Sequence, residues 1–161
     1  MNVLVCCRVI LCLTGIGLSV YALHVELSKT QDDNYKALCD ISEHMSCSKV
    51  FASKYGTGFG LVEPVLGKDS PLNIPNSIFG IVFYSLVCIL GLFKSKFAAM
   101  TIFLFSVTSC IGSVYLGYIL YFVLHDVCVV CISTYIVNGL LFIINFISLR
   151  KASSVKKSKR E

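Results

Sequence analysis

The sequence predicts an all-α membrane protein: a bundle of four transmembrane helices with a cap loop and half-helix on one side. Three observations carry this. The 161 residues are 56% hydrophobic and only 14% charged, whereas soluble domains carry about 25% charged residues. Apolar runs of the roughly 17–25 residues needed to cross a hydrocarbon core recur along the chain, and they are continuous rather than alternating, which selects helices over barrel strands. The charges are also unevenly placed. Six of the fourteen basic residues (Arg150, Lys151, Lys156, Lys157, Lys159, Arg160) lie in the final segment 150–161, directly after an apolar run. That is the pattern of a cytosolic anchor, not of a nucleic-acid footprint, and no basic stretch is interleaved with aromatics as a single-strand binder requires.

The elements follow in order within one domain. The first span covers 3–24, and its one charge, Arg8, is expected to snorkel to the interface. A cleaved signal peptide is the alternative for this segment, but the run is long for one and no small-x-small site follows. The segment 25–75 is polar and glycine-bearing, too long for an ordinary connection. Its part 35–51 is expected to form a short helix bearing Cys39 and Cys47, and 59–66 is apolar enough to dip into the bilayer surface. Gly56, Gly58 and Gly60 lack the strand–helix surroundings of a phosphate loop and read as turns. Spans at 76–93, 97–124 and 128–149 complete the bundle, and the basic tail 150–161 ends the chain.

Orientation follows from the charges. With the N-terminus cytosolic, that side holds Arg8, Lys94, Lys96 and the six tail residues against one acid, Glu161. The other side holds five lysines (Lys29, Lys36, Lys49, Lys54, Lys68) against eight acids: Glu26, Asp32, Asp33, Asp40, Glu43, Glu63, Asp69 and Asp126. The positive-inside rule then puts both termini in the cytosol. Cys39, Cys47 and the start of the last span face the opposite, oxidising side, where disulfides persist. The ending Lys157-Ser-Lys-Arg-Glu161 resembles a retrieval signal of resident endoplasmic reticulum proteins.

The chemistry lies in the cysteines. Of nine, Cys6, Cys7, Cys12, Cys88 and Cys110 sit in apolar runs and read as small packing residues. Cys128 and Cys131 form a Cys-x-x-Cys at the start of the last helix, three residues apart and so on nearly one face. Asp126 is the expected N-cap, and a thiol in a helix's first turn gains thiolate character from the dipole. A static bridge is the alternative, but across so short a loop it removes little chain entropy. Half a zinc site is disfavoured because His24, His44 and His125 supply no second matching pair. Cys39 and Cys47 are either a structural loop bridge or the outer half of a relay that exchanges with the helix pair. No flavin or haem motif is present, so the redox counterpart is expected to be lipid-soluble and no tightly bound cofactor is expected. Tyr135 lies one turn beyond Cys131 on the same face, and Asn76 starts the second helix at similar depth; a phenol and an amide there suit quinone oxygens. Phe79, Phe83 and Tyr84 recur at helical spacing and supply an aromatic wall, whether of a pocket or of helix packing.

These residues resemble a known family. Ala37-Leu-Cys-Asp40, Ser46-Cys-Ser48, Gly58-Phe-Gly-Leu-Val-Glu63, Pro75-Asn-Ser-Ile-Phe-Gly80 and Cys128-Val-Val-Cys-Ile-Ser-Thr-Tyr135 are similar, in order, to animal members of the vitamin K epoxide reductase family of the catalytic-subunit type. The resemblance spans about 11–149 and implies a four-helix bundle around a vitamin K pocket under a luminal cap. It implies Cys131 as the attacking thiolate, Cys128 as the resolving thiol, Cys47 as the reductant of Cys128, and Cys39 as the entry point for electrons from a luminal thioredoxin-like oxidoreductase. It matches Asn76 and Tyr135 to hydrogen-bonding partners of the naphthoquinone, and Phe51, Tyr55, Phe79, Phe83, Tyr84, Leu116, Leu124 and Cys12 to pocket walls. Tyr55 stands where many relatives carry Trp, which bears on the cap contact and on coumarin-type inhibitors. The implied activity is reduction of vitamin K 2,3-epoxide to the quinone and of the quinone to the hydroquinone that serves a carboxylase. The same wiring run backwards, a quinone-coupled thiol oxidase, and a noncatalytic four-span scaffold are the alternatives; the Cys-x-x-Cys followed by Tyr135 speaks against the scaffold.

Overall fold

A computed structural model describes residues 3–42, 45–67, 69–93 and 95–158, with backbone alone for 155–158. Of the sequence features above, Glu43, His44, Lys68, Lys94 and the end of the retrieval-like signal at 159–161 lie outside the described residues. Every regular element within them is helical: α1 Val3–Gln31, α2 Cys47–Phe51, a 3-10 turn Gly58–Gly60, α3 Val62–Leu66, α4 Asn76–Leu90, α5 Lys96–Tyr118, a π-helical turn Ile119–Val123, and α6 Val129–Ser158. Three helices are long and apolar enough to cross a membrane, and α4 is a shorter apolar helix. The chain is an all-α membrane protein.

Several bounds differ from expectation for local reasons. The helix α1 runs past 24 to Gln31, because Thr30 Oγ1 donates to the Glu26 carbonyl at 2.6 Å and Lys29 suits the negative end of the helix dipole. The expected helix over 35–51 is only Cys47–Phe51. It starts at Ser46, whose hydroxyl accepts from the Lys49 N–H, and Cys39 lies before it in a turn closed by the Asp40 N–H donating to the Ala37 carbonyl at 3.0 Å. The helix α5 begins at Ser95, whose hydroxyl accepts from the Ala98 N–H at 3.0 Å. It ends in the π-helical turn, after which His125 takes a left-handed φ of 52° that turns the chain into α6.

Packing centres on α1 and α6. Gly15 lets α1 approach α4 closely: a Cβ there would lie 2.5 Å from the Tyr84 ring. One cluster, Cys12, Tyr84, Val87, Val137 and Leu141, fills the middle of the bundle. A second, with Ala22, Val25, Cys47, Val50, Leu120, Cys128 and Val130, lies under the loop segment.

Arg8 departs most from expectation. It does not snorkel; it is 4% exposed. Its guanidinium donates to Asn145 Oδ1 at 2.8 Å, to the Gly91 carbonyl at 2.9 Å and to Ser148 Oγ at 2.6 Å. Asn145 Nδ2 donates in turn to Ser106 Oγ at 2.7 Å, so one network ties α1, α4, α5 and α6 together. The Gly91 carbonyl caps the C-terminal end of α4, and the partial negative charge there offsets the buried cation. Hydrogen bonds inside the bundle therefore replace water at this side chain.

Candidate functional site

The site is built where α1, α4, α5 and α6 meet the 32–75 segment. Asp40 organises the outer layer. Its Oδ2 accepts from the Ala37 N–H at 2.8 Å and the Ser48 hydroxyl at 2.6 Å, and its Oδ1 accepts from the Ser46 hydroxyl at 2.9 Å and the Ser48 N–H at 3.0 Å. Partial burial pushes its carboxyl pKa up, but hydrogen bonds from the Ser48 hydroxyl and N–H, the Ala37 N–H and the Ser46 hydroxyl outweigh it and hold the group at about 2. A permanent carboxylate thus pins the chain on both sides of Cys39 to the start of α2.

Each cysteine pair is bridged. Cys39 and Cys47 have Cα atoms 5.8 Å apart, and Cys128 and Cys131 have theirs 5.2 Å apart. Exposure separates the members of each pair. Cys47 and Cys128 are both fully buried and share the apolar cluster beneath the loop. Cys39 is half-buried on the outer side, where the Tyr21 hydroxyl donates to its sulfur at 3.8 Å. Cys131 is half-buried on the inner side and is the one cysteine on the wall of a cavity of about 890 Å³. All four sulfurs therefore meet around that cluster, Cys47 and Cys128 within it and Cys39 and Cys131 packed against it, with Cys131 also on the cavity wall.

Asp126 is not the cap of the last helix. That helix starts at Val129, so Cys128 takes the capping position, and its sulfur accepts from the Cys131 N–H at 3.2 Å. The chain from His125 to Cys128 has no regular structure and His125 is in the left-handed region, so Asp126 lies short of the first turn. The Cys128 sulfur thus sits at the positive end of the α6 dipole.

The cavity gathers most of the expected wall. Asn76, Tyr135, Phe51, Tyr55, Phe79, Phe83, Tyr84, Leu116 and Leu124 all line it with Cys131. Cys12 does not; it is fully buried among Tyr84, Val87, Val137 and Leu141, outside the cavity lining. The Asn76 amide is also partly committed elsewhere. Its Nδ2 donates to the Tyr55 carbonyl at 2.6 Å and its Oδ1 accepts from the Phe59 N–H at 2.8 Å, while its own N–H donates to the Gly56 carbonyl at 2.8 Å. Asn76 thus clamps the Tyr55–Phe59 turn over the cavity, and one Nδ2 proton remains for a ligand. Phe59 holds a left-handed φ of 57° in that turn and packs on Phe79 at 5.3 Å between ring centroids.

Sequence reasoning missed a second polar group deeper in the cavity. Tyr84 OH donates to Asn138 Oδ1 at 2.9 Å, and Asn138 Nδ2 donates to Ser113 Oγ at 2.8 Å, joining α4, α6 and α5. The signal was available: Asn138 is seven residues after Cys131, two turns along the same face, and an amide inside an apolar span rarely lacks a role. Glu26 and Ser77 also line the cavity and were not singled out as site residues.

Comparison with known proteins gives a consistent picture. A model of the vitamin K epoxide reductase family matches residues 6–146. A mouse (Mus musculus) protein named vitamin K epoxide reductase complex subunit 1 is 52% identical over 139 residues, 86% of each chain. Its rat (Rattus norvegicus) namesake is 50% identical over the same length and shares.

Proposed function

The chain belongs to the vitamin K epoxide reductase family of oxidoreductases, and from that premise we propose that it reduces vitamin K 2,3-epoxide to the quinone and the quinone to the hydroquinone. The observation that carries this is Cys131, the single sulfur on an apolar cavity wall, backed by a buried partner that packs with the loop pair. In the reduced state the Cys131 thiolate attacks a ring carbon of the epoxide; the C–O bond opens and the oxygen takes a proton. Cys128 then attacks the Cys131 sulfur, forming the disulfide, and the released ring carbanion expels the hydroxyl as water. One dithiol is consumed per epoxide, and one more reduces quinone to hydroquinone.

We infer that recharging runs in the order Cys39, Cys47, Cys128, Cys131, with the two buried sulfurs in the middle. Cys47 attacks the Cys128–Cys131 bridge at Cys128, the buried sulfur beside it, and Cys39 closes the loop bridge, which an external dithiol then reduces. Tyr135 and the free Nδ2 proton of Asn76 hold the two oxygens of the naphthoquinone. Phe51, Tyr55, Phe79, Phe83, Leu116 and Leu124 enclose its ring, and the same wall would take a coumarin-type inhibitor. We place four spans in the endoplasmic reticulum membrane, the shorter α4 joining the three long helices as the second span, with both termini cytosolic and the cysteine pairs on the luminal side; the charge distribution supports this.

The test is direct. Purified protein in detergent, given dithiothreitol and vitamin K epoxide, should form the quinone and then the hydroquinone. No product, with both disulfides shown to be reduced by the dithiol, would refute the reading. Tyr135→Phe keeps the ring and removes only the hydroxyl; losing a hydrogen bond to a buried carbonyl costs about 1–3 kcal/mol. The Michaelis constant for the epoxide should rise roughly five- to a hundredfold, while the rate of disulfide reduction by dithiothreitol stays the same.

A further inference from the structure

Among the described residues, Glu26 is the only carboxyl on the cavity wall. It shares one face of α1 with Ser19 and Ala22, at steps of three and four residues, and all three line the cavity. That face runs against α4, where a Cβ on Gly80 would lie 2.5 Å from Ser19 Oγ. One turn nearer the start of α4 stands Ser77, whose hydroxyl lies beside the Glu26 carboxyl. Ser77 is 9% exposed and also lines the cavity, yet its hydroxyl makes no hydrogen bond of ordinary geometry. A buried hydroxyl in that state is costly, and an oxygen on a bound molecule would satisfy it.

No cation accompanies the carboxyl. Among the described residues no Lys, Arg or His lines the cavity, and its other titratable groups are Tyr55, Tyr84, Tyr115, Tyr135 and Cys131. Lys29, the next turn along α1, gives its ammonium to the Asp33 carbonyl. A carboxylate without a counter-ion is poorly solvated once a ring displaces water, so the neutral acid is the form a bound ligand favours. Its proton is also the easiest on this wall to give up, since carboxyls ionise near about 4 and phenols near about 10 in water.

Opening an epoxide requires a proton on the departing oxygen. We propose that Glu26, with the Ser77 hydroxyl beside it, is the catalytic acid that protonates this oxygen. The inference rests on the reduction reading above and adds the source of its protons. The proton on Glu26 at the outset is the one Cys131 gives up in becoming a thiolate. As the Cys131 sulfur bonds to the ring carbon and the C–O bond breaks, that proton passes to the oxygen. The Cys128 thiol then loses its proton to the Glu26 carboxylate and attacks the Cys131 sulfur. The S–C electron pair stays on the ring and expels hydroxide, which takes the second proton from Glu26 and leaves as water. Two thiols become a disulfide, the epoxide becomes the quinone, and Glu26 ends as a carboxylate until the dithiol is recharged.

The experiment compares Glu26→Gln with the wild type in detergent, with dithiothreitol and vitamin K epoxide. A general acid contributes about a hundredfold or more to a rate, so kcat should fall at least that far. KM should stay within about twofold, and dithiothreitol should open the Cys128–Cys131 bridge at the wild-type rate. Formate added to Glu26→Ala should restore part of the lost rate. A second readout follows the proton itself: one turnover of the reduced wild type should remove a carboxylic-acid C=O band from the infrared difference spectrum. Glu26→Gln should lack that band. A smaller fall in kcat, or a rise in KM alone, would make Glu26 a binding or packing residue and overturn the proposal. So would an infrared band unchanged by the substitution. No product from the wild type would instead refute the reduction reading, and the inference with it.

Discussion

The two ends of the bundle are each organised by one charged side chain, and they are built to opposite purposes. At one end Arg8 makes its bonds to side chains and a carbonyl of α4 and α6, so the helices themselves are locked and nothing moves without stranding a buried cation. At the other end the hydrogen bonds Asp40 accepts from the described residues come from Ala37, Ser46 and Ser48, so it stiffens the loop itself. The loop is joined to the helices instead through Asn76 and the apolar cluster around Cys47 and Cys128. A relay needs this division. In the proposed relay the bundle holds Cys131 and the cavity still, while the stiffened loop moves as a unit to carry Cys47 between two sulfurs.

The sharpest way to break the comparison is at the site end. Cys131→Ala should abolish epoxide reduction with any reductant, since no other cysteine reaches the cavity wall, while the melting temperature changes little. Residual turnover would place the attacking sulfur elsewhere. At the opposite end, Asn145→Leu removes a partner of the Arg8 guanidinium, and a hydrogen bond to a charged group is worth about 1.5–3 kcal/mol. Thermal unfolding in detergent should show that loss, with activity per folded molecule unchanged. If activity falls and stability does not, the two ends are coupled and the division fails.

The smallest expected effect is a pH dependence. Asp40 has its pKa depressed in the folded loop to about 2, against an ordinary value of about 4. Its contribution is therefore fully present above about pH 4 and is lost as pH falls through about 2. Asp40→Asn should lower the thermal stability relative to the wild type at neutral pH, and the difference should shrink as pH falls through about 2 and vanish below it. A difference that persists there would mean the carboxylate charge is not what holds the loop.

How much of this was legible in the sequence divides along the same line. The site end was readable because its residues are related by short spacings: Cys128 and Cys131, then Tyr135, and on α4 Phe79 and Phe83 with Asn76. Helical periodicity places each set on one face, and the cavity lies where the faces meet. What failed there was local: Cys128 caps the helix in place of Asp126, and Cys12 falls just outside the cavity lining. The other end was not readable. Arg8 and Asn145 are 137 residues apart, and no local pattern distinguishes an arginine that reaches water from one that meets an asparagine across the bundle. Asn76 shows the same limit in smaller form: its depth was evident, but the clamp on Tyr55 and Phe59 depends on how the loop returns.

The order of the four sulfurs is the central claim, and it can be measured by trapping. A Cys39→Ala, Cys131→Ala variant keeps only the two buried members of the pairs, Cys47 and Cys128, which share one apolar cluster. Mild oxidation followed by peptide mapping should find a Cys47–Cys128 disulfide. The complementary Cys47→Ala, Cys128→Ala variant should leave Cys39 and Cys131 as separate thiols, one labelled from the outside and the other shielded by a ligand in the cavity. A Cys39–Cys131 bridge in the second variant, or no bridge in the first, would contradict the order and the relay built on it.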